Sequence, residues 1–376
     1  MSWLKKLTQV KKRDWVFTLV LALLCAFLYA MPEVKPLVDD SGRTVKATVL
    51  ECDDSMLMEL GNVTQGTQML SVRITETGET FPAVNELYGK LELDKRFAPG
   101  DKITVVMPED AAFGTVLYAR DHDRSNWTIV LFSGFCLLLI IFGLWTGVKA
   151  LFSFVFSCLV IFKAVIPLTL SGYSASWIIF GSTLLLTWVI IYLVAGVNRK
   201  ALAASLGASA GVFAGLAMAH IFGKLLKING ATLPYSQTIL DSLFMPLDIA
   251  DIFVGSLILC CSGAVMDLAM DIAAAVEEVH IHNPQLTRKE LTASGLRVGR
   301  SVVGTMTTTL LLAYSGGFIT LIMMFALQGT RVNDVLNHPL VAAEIVKTLI
   351  GSFSLVLVAP LTAFTSGWIF SFHPKR

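Results

Sequence analysis

The chain has 376 residues, 55% hydrophobic and only 15% charged, with a mean hydropathy of +0.69. A soluble domain carries more charge, so the composition indicates a polytopic membrane protein. A formal net charge of +1 excludes a global basic face for nucleic acid. Five of the six cysteines fall in apolar segments, so no disulfide framework is implied.

The N-terminus, MSWLKKLTQVKKRDW, places five Lys/Arg ahead of the apolar run Trp15–Met31. Leu28 and Ala30 make a poor small-x-small cleavage site, so residues 1–32 read as an uncleaved signal anchor with its basic flank in the cytoplasm. Residues 33–126 change character. TVKATVLECDD, QMLSVRITETGETF, DKITVVMPED and TVLYARDH alternate apolar and polar residues, and Pro99-Gly100-Asp101 marks a turn. This is the pattern of a small extracytoplasmic β domain, a barrel or a sandwich, inserted after the first helix.

From Trp127 the apolar runs resume, each near the ~20 residues that a bilayer requires. They lie at 127–145, 150–169, 176–196, 201–222, 251–274, 302–327 and 341–370. With the anchor they predict an α-helical polytopic membrane protein of about eight transmembrane helices, seven of them in a membrane domain at 127–376. The last run is long, and Pro360 is expected to kink or divide it. Fourteen Lys/Arg fall in segments on the N-terminal side of the membrane and three (Lys224, Lys227 and Arg331) in the opposite short loops. That bias places both termini in the cytoplasm and residues 33–126 outside.

The fifth run repeats small residues every four positions: Ala203, Gly207, Gly211, Gly215 and Ala219. Such a row is a helix-packing surface, with a sliding surface for a moving helix as the sharper alternative.

Ionisable residues in apolar runs are costly and mark functional candidates. On the sixth run, Asp267 and Asp271 stand at i and i+4, sharing a face with Gly263, Ala274 and Ala275. Two such carboxylates repel and call for a cation, a proton or an arginine between them. The seventh run opens at matching depth with Arg300, Ser301, Thr305, Thr307, Thr308 and Thr309, of which at most two of Thr305, Thr308 and Thr309 can line one path. The bland alternatives are a salt bridge to Arg300 and hydroxyls bonded back to their own helix. An outer polar group comprises Lys163, Glu344 and Lys347, the last two spaced for an ion pair within one helix. Glu277, Glu278, His280 and His282 fall in a connector without zinc-ligand spacing; a solvated segment is the simpler reading, and the metal, if any, is unknown. In the same connector Thr287 and Glu290 fit a capping box. No phosphate loop, dinucleotide fingerprint or nucleophile elbow occurs, so neither an enzyme nor a cofactor is expected.

The stretches CSGAVMDLAMDIAAAVEEV, LTASGLRVGRSVVGTMTTTLLLAYSGG and VAAEIVKTLIGSFSLVLVAPLTA, in that order, resemble the bacterial YibE/F-like membrane proteins. The resemblance covers about 127–370 and implies a multi-pass plasma-membrane protein described as a predicted permease. It also implies that Asp267, Arg300, Gly304, Thr305, Thr309 and Tyr314 match the family pattern. Asp271, Ser301 and Thr308 depart from it, standing where Ser, Asp and Asn are usual. One acid has thus moved from the seventh run to the sixth, as expected if positions 271 and 301 face the same small volume.

The leading expectation is a permease with a polar site of Asp267, Asp271, Arg300, Ser301, Thr305, Thr308 and Thr309, coupled to protons or a cation. The rival is a non-transporting accessory protein whose β domain binds an envelope partner. Expected partners are the lipid bilayer and a second copy or a paired family member, with no nucleic acid.

Overall fold

The computed structural model describes residues 12–31, 42–91, 94–108, 114–242 and 247–371. The basic residues Lys5, Lys6, Lys11, Lys375 and Arg376, on which part of the expected sidedness rests, lie outside them. The chain divides into two compact units, residues 35–138 and residues 1–34 with 139–376.

The first unit is a barrel. Its strands are β1 (Gly42–Asp53), β2 (Leu57–Leu60), β3 (Val63–Ile74), β4 (Thr80–Tyr88), β5 (Lys102–Pro108) and β6 (Leu117–His122). The sheet order β1-β5-β6-β4-β3 is closed by pairing of β1 with β3, and β2 extends β3 as a hairpin. Only β4 and β6 run parallel, so the connectivity is that of a five-stranded OB-type barrel. Strict alternation along β1 and β4 sends Val45, Ala47, Val49, Phe81 and Ala83 inward, where they meet Leu70, Val72 and Ile103. Gln68 closes one end. Its amide donates to Phe97 O (2.8 Å) and Asp54 Oδ1 (2.8 Å), while its oxygen accepts from Asn85 (3.1 Å), so the buried polar pair is satisfied.

Asp123, just after β6, accepts from the Ser125 hydroxyl and pairs with Lys46 on β1 (2.9 Å). These contacts hold its carboxyl down at about 2 from an ordinary 3.8. A depressed folded value contributes stability above the unfolded one, and that contribution is lost as pH falls through the folded one. Hydrogen exchange of the barrel amides in the full chain should therefore separate wild type from Asp123→Asn at pH 7. The gap should close as pH falls from 3.8 towards 2; a pH-independent gap would contradict this role.

The second unit is helical. It comprises α1 (Lys12–Ala30), the inner part of α2 (Ser125–Val160), a π-helical stretch Ile161–Val165, α3 (Ile166–Leu170), α4 (Ala175–Ala195), α5 (Arg199–Leu225), α6 (Ser236–Ser242), α7 (Ile249–His282), α8 (Arg288–Gly316), α9 (Ile319–Gln328), α10 (Val332–Asn337) and α11 (Pro339–Ser371). Among the described residues, five helices are long and apolar enough to cross a membrane, six if α8 and α9, bent by 65°, form one span. The predicted count of about eight is not reached on length and composition alone, for two reasons. The described apolar part of α1 covers only Thr18–Ala30. The expected spans 127–145 and 150–169 join in one helical run, Ser125–Leu170. That run is broken at Leu144, whose φ of 49° is left-handed and strained for a leucine. Gly147 allows the bend, because a side chain there would collide with the Leu139 carbonyl.

The expected connector between the sixth and seventh spans is mostly helix. The helix α7 continues to His282 and α8 begins at Arg288, capped by Thr287 and Glu290 in a reciprocal box that opens this long helix rather than a short one. The helix α11 runs undivided through Pro360, which is exposed.

The core of this unit lies among α5, α7, α8 and α11, around Ala208, Val265, Leu268, Ile272 and Val358. The four-residue row on α5 fits directly against α11. A methyl group at Gly207 would press to 2.7 Å from Thr362 Cα, one at Gly211 to 2.8 Å from Val358 Cβ, and one at Gly215 would strike Ser354 Oγ. Thr365 Oγ1 donates to Ala203 O across the same seam (3.1 Å). Bare backbone thus lets two apolar helices approach where lipid gives no hydrophobic drive.

Candidate functional site

The helices α7 and α8 form an antiparallel pair joined by only five residues. Their register follows from packing: a side chain on Gly295 would meet Val276, and one on Gly299 would meet Ile272 at 3.2 Å. In that register Asp271 lies level with Arg300, Asp267 with Gly304 and Gly263 with Thr308. The buried faces of both helices point at α11, where Gly295 and Gly299 rest on Ala363 and Ala359.

The predicted polar residues occupy the other face. Asp267, Asp271, Arg300, Ser301, Thr305, Thr308 and Thr309 are all exposed. Neither acid, nor Arg300, has a hydrogen bond or ion pair among the described residues, so the salt bridge open to Arg300 is not formed within the chain. The hydroxyls bond back to their own helix: Ser301 to Val298 O (2.7 Å), Thr305 to Val302 O (2.9 Å), Thr308 to Gly304 O (3.0 Å) and Thr309 to Thr305 O (2.9 Å). Their protons are used, which leaves their lone pairs free to accept from outside. The chain thus leaves these residues on the open faces of α7 and α8 rather than around a closed cavity. Gly299 and Gly304, equivalent by sequence, part company: Gly299 is packed, and Gly304 has open space where a side chain would stand.

The outer group does not assemble as one cluster. Lys347 pairs with Glu344 at 2.6 Å, with both side chains largely buried (21% and 14% exposed), and sits 5.7 Å from the Phe253 ring centroid. Lys163, on the π-helical stretch, instead donates to Met31 O just beyond the end of α1 (3.0 Å). Breaking a largely buried pair strands one charge. Glu344→Gln should therefore lower unfolding stability by about 1–2 kcal/mol, and Glu344→Gln with Lys347→Met should recover part of the loss in a double-mutant cycle.

At the C-terminal end of α7, Glu277 pairs with Lys200 (3.0 Å) and His282 meets Glu278 (3.0 Å); no group of three metal-ligating side chains occurs among the described residues.

A polar feature that sequence reasoning passed over lies at the other end of α7. Asp248 caps the helix through Asp251 N (3.1 Å), and Asp251 accepts from Ser174 Oγ (2.7 Å) and Ser176 N (3.1 Å). A cavity of about 360 Å³ lies on one side of this pair, beside Tyr173. Another of about 170 Å³ lies on the other, beside His220, Lys224 and Lys227. The available signal was the Asp248–Asp251 spacing at a helix start, which by itself reads only as a cap. Sixteen residues separate Asp251 from Asp267, which puts them about 160° apart around α7 at ~100° per residue. They do not line one path.

The family model described as YibE/F-like protein matches residues 131–372. The chain belongs to the YibE/F-like family. Neither the curated proteins nor the solved structures compared contain a match. The family match takes in α7, α8 and α11 with every residue of the polar flank, and it leaves out the barrel.

Proposed function

We propose that this family member is a permease of the bacterial plasma membrane, with both termini cytoplasmic and the barrel outside, whose proton- or cation-coupled path follows the α7/α8 flank. In this reading Asp267 carries the proton or cation, Asp271 and Arg300 set the local field, and the lone pairs of Thr305 and Thr308 relay it. The observation that carries the reading is the pair of carboxylates at Asp267 and Asp271, one turn apart on an apolar helix and without a partner among the described residues. Burying such groups without compensation is too costly to serve packing alone. The test is proton and cation flux through proteoliposomes containing wild type or Asp267→Asn.

A second reading, an accessory protein that holds an envelope partner through its barrel, is favoured by the β2 hairpin, where Met56, Met58 and Leu60 are exposed. Partner co-purification that is lost with Met56→Ser/Met58→Ser, together with absence of flux, would select it.

A further inference from the structure

The cavity of about 170 Å³ beside the start of α7 is lined by charges of both signs. Asp248 and Asp251 come from the start of α7, Lys224 and Lys227 from the end of α5 and the turn after it, and His220 from one turn earlier in α5. Among the described residues no ion pair joins these acids to these lysines. Each carboxylate also has an oxygen to spare. Asp251 Oδ2 accepts from both the Ser174 hydroxyl (2.7 Å) and Ser176 N (3.1 Å), and its Oδ1 has no donor among the described residues. Asp248 accepts from Asp251 N through Oδ1 (3.1 Å), and its Oδ2 is likewise free among the described residues. His220 donates from Nδ1 to Leu216 O (3.1 Å), which fixes the ring and leaves Nε2 available.

Lys227 is held at the cavity against its backbone preference. The helix α5 ends in a Schellman motif, in which Ile228 N donates to Gly223 O (2.9 Å) and Lys227 N to Lys224 O (3.2 Å). Glycine is usual at the left-handed position of that motif, but here it is Lys227, with a φ of 52°. Gly230 pins the same turn to α7, because a side chain there would strike the Ile249 carbonyl. Glycine would close the cap at Lys227 without strain, so what lysine adds is its charge at the cavity.

Charge and size define the ligand. With His220 neutral, two carboxylates and two ammonium groups leave the lining balanced. A ligand with a net charge would leave one group in excess, whereas one carrying both signs pairs with both walls and keeps the balance. At ~30 Å³ per water the cavity has room for about six waters, or a solute of similar size. Ile228, Phe253 and Val254 complete the lining and suit a short apolar side chain. The larger cavity of about 360 Å³ shares both acids but has no basic residue in its lining, so only the smaller one presents both signs.

We propose that the smaller cavity binds a small zwitterion of the α-amino acid type, its ammonium on Asp248 and Asp251 and its carboxylate on Lys224 and Lys227. Asp251 lies about 160° around α7 from Asp267, so the site stands apart from the ion path and does not rest on the permease reading.

The test is isothermal titration calorimetry of the full-length chain in lipid nanodiscs with glycine, L-alanine and L-serine. Isopropylamine and propionate, each keeping one of the charges of alanine, are the controls. At least one of the amino acids should bind saturably, and each control at least about tenfold more weakly, for the loss of one charge-assisted contact. Lys227→Gly separates binding from folding. Glycine suits the left-handed position, so the unfolding midpoint in detergent should stay level or rise. Affinity for the amino acid should nevertheless fall at least about tenfold. Asp251→Asn, which can still accept from Ser174 and Ser176, should show the same loss. Absence of saturable binding by all of the amino acids would overturn the proposal. So would a control that binds as tightly as the amino acid, or unchanged affinity in Lys227→Gly. Binding that passes these tests while Asp267→Asn leaves flux intact would retain the site and discard the ion path.

Discussion

In proteoliposomes under an imposed proton or cation gradient, Asp267→Asn is expected to lower flux at least about tenfold, the loss of one essential proton-transfer or charge-binding group. The substitution keeps the size and polarity of the side chain and removes only its charge. It should not unfold the chain, because among the described residues Asp267 makes no hydrogen bond or ion pair whose loss could destabilise it. Removing one of two carboxylates an i,i+4 step apart relieves repulsion, so the thermal midpoint should stay level or rise slightly. Lower flux with undiminished stability is the result that separates a functional acid from a structural one. Asp271→Asn, level with Arg300 and nearer the C-terminal end of α7, should cost less flux. Unchanged flux in Asp267→Asn would remove the acid from the mechanism.

Replacing Gly207 with valine is expected to cost about 3 kcal/mol or more, at the upper end for overpacking. The obstacle is backbone rather than a flexible side chain, since even a methyl group would press to 2.7 Å from Thr362 Cα. Relief requires α5 and α11 to move apart, which would open the row at Gly211 and Gly215 and break the bond from Thr365 to Ala203. Trp188 on α4 donates to Ser209 on α5 (2.9 Å) and would report the displacement by fluorescence during unfolding in detergent. A midpoint like that of wild type would show that the seam has slack the structure does not contain. Gly263→Val offers the contrast: it adds the same side chain where space is open, and the folded single copy should tolerate it.

The strands illustrate what periodicity can and cannot read. Alternation located β1, β3, β5 and β6, whose inward residues form the barrel core. It did not separate β4 from β3, because the Thr75–Thr77 turn is short and Pro82 interrupts the strand pattern. Nor could local pattern report that β1 reaches β3 to close the sheet, since that pairing joins segments distant in the chain. On α8 the signal was local and complete: Thr287 and Glu290 cap the helix through atoms three residues apart.

The polar flank divides along the same line. Sequence alone determined that Asp267 and Asp271 share one face of an apolar helix, that Arg300 and the threonines follow at similar depth, and that α5 carries a row of small residues, because 3.6 residues per turn relates positions within a helix. Sequence also carried the family, through three ordered motifs that the match to residues 131–372 contains. Only the tertiary structure decided which way those faces turn. In water a polar face points outward by default. In lipid the surroundings are as apolar as the core, so patterning assigns no direction. Direction came from where backbones could touch. Gly207, Gly211, Gly215, Gly295 and Gly299 drew α5, α8 and α11 into the core, and that packing left Asp267, Asp271 and Arg300 on the outside of a single chain.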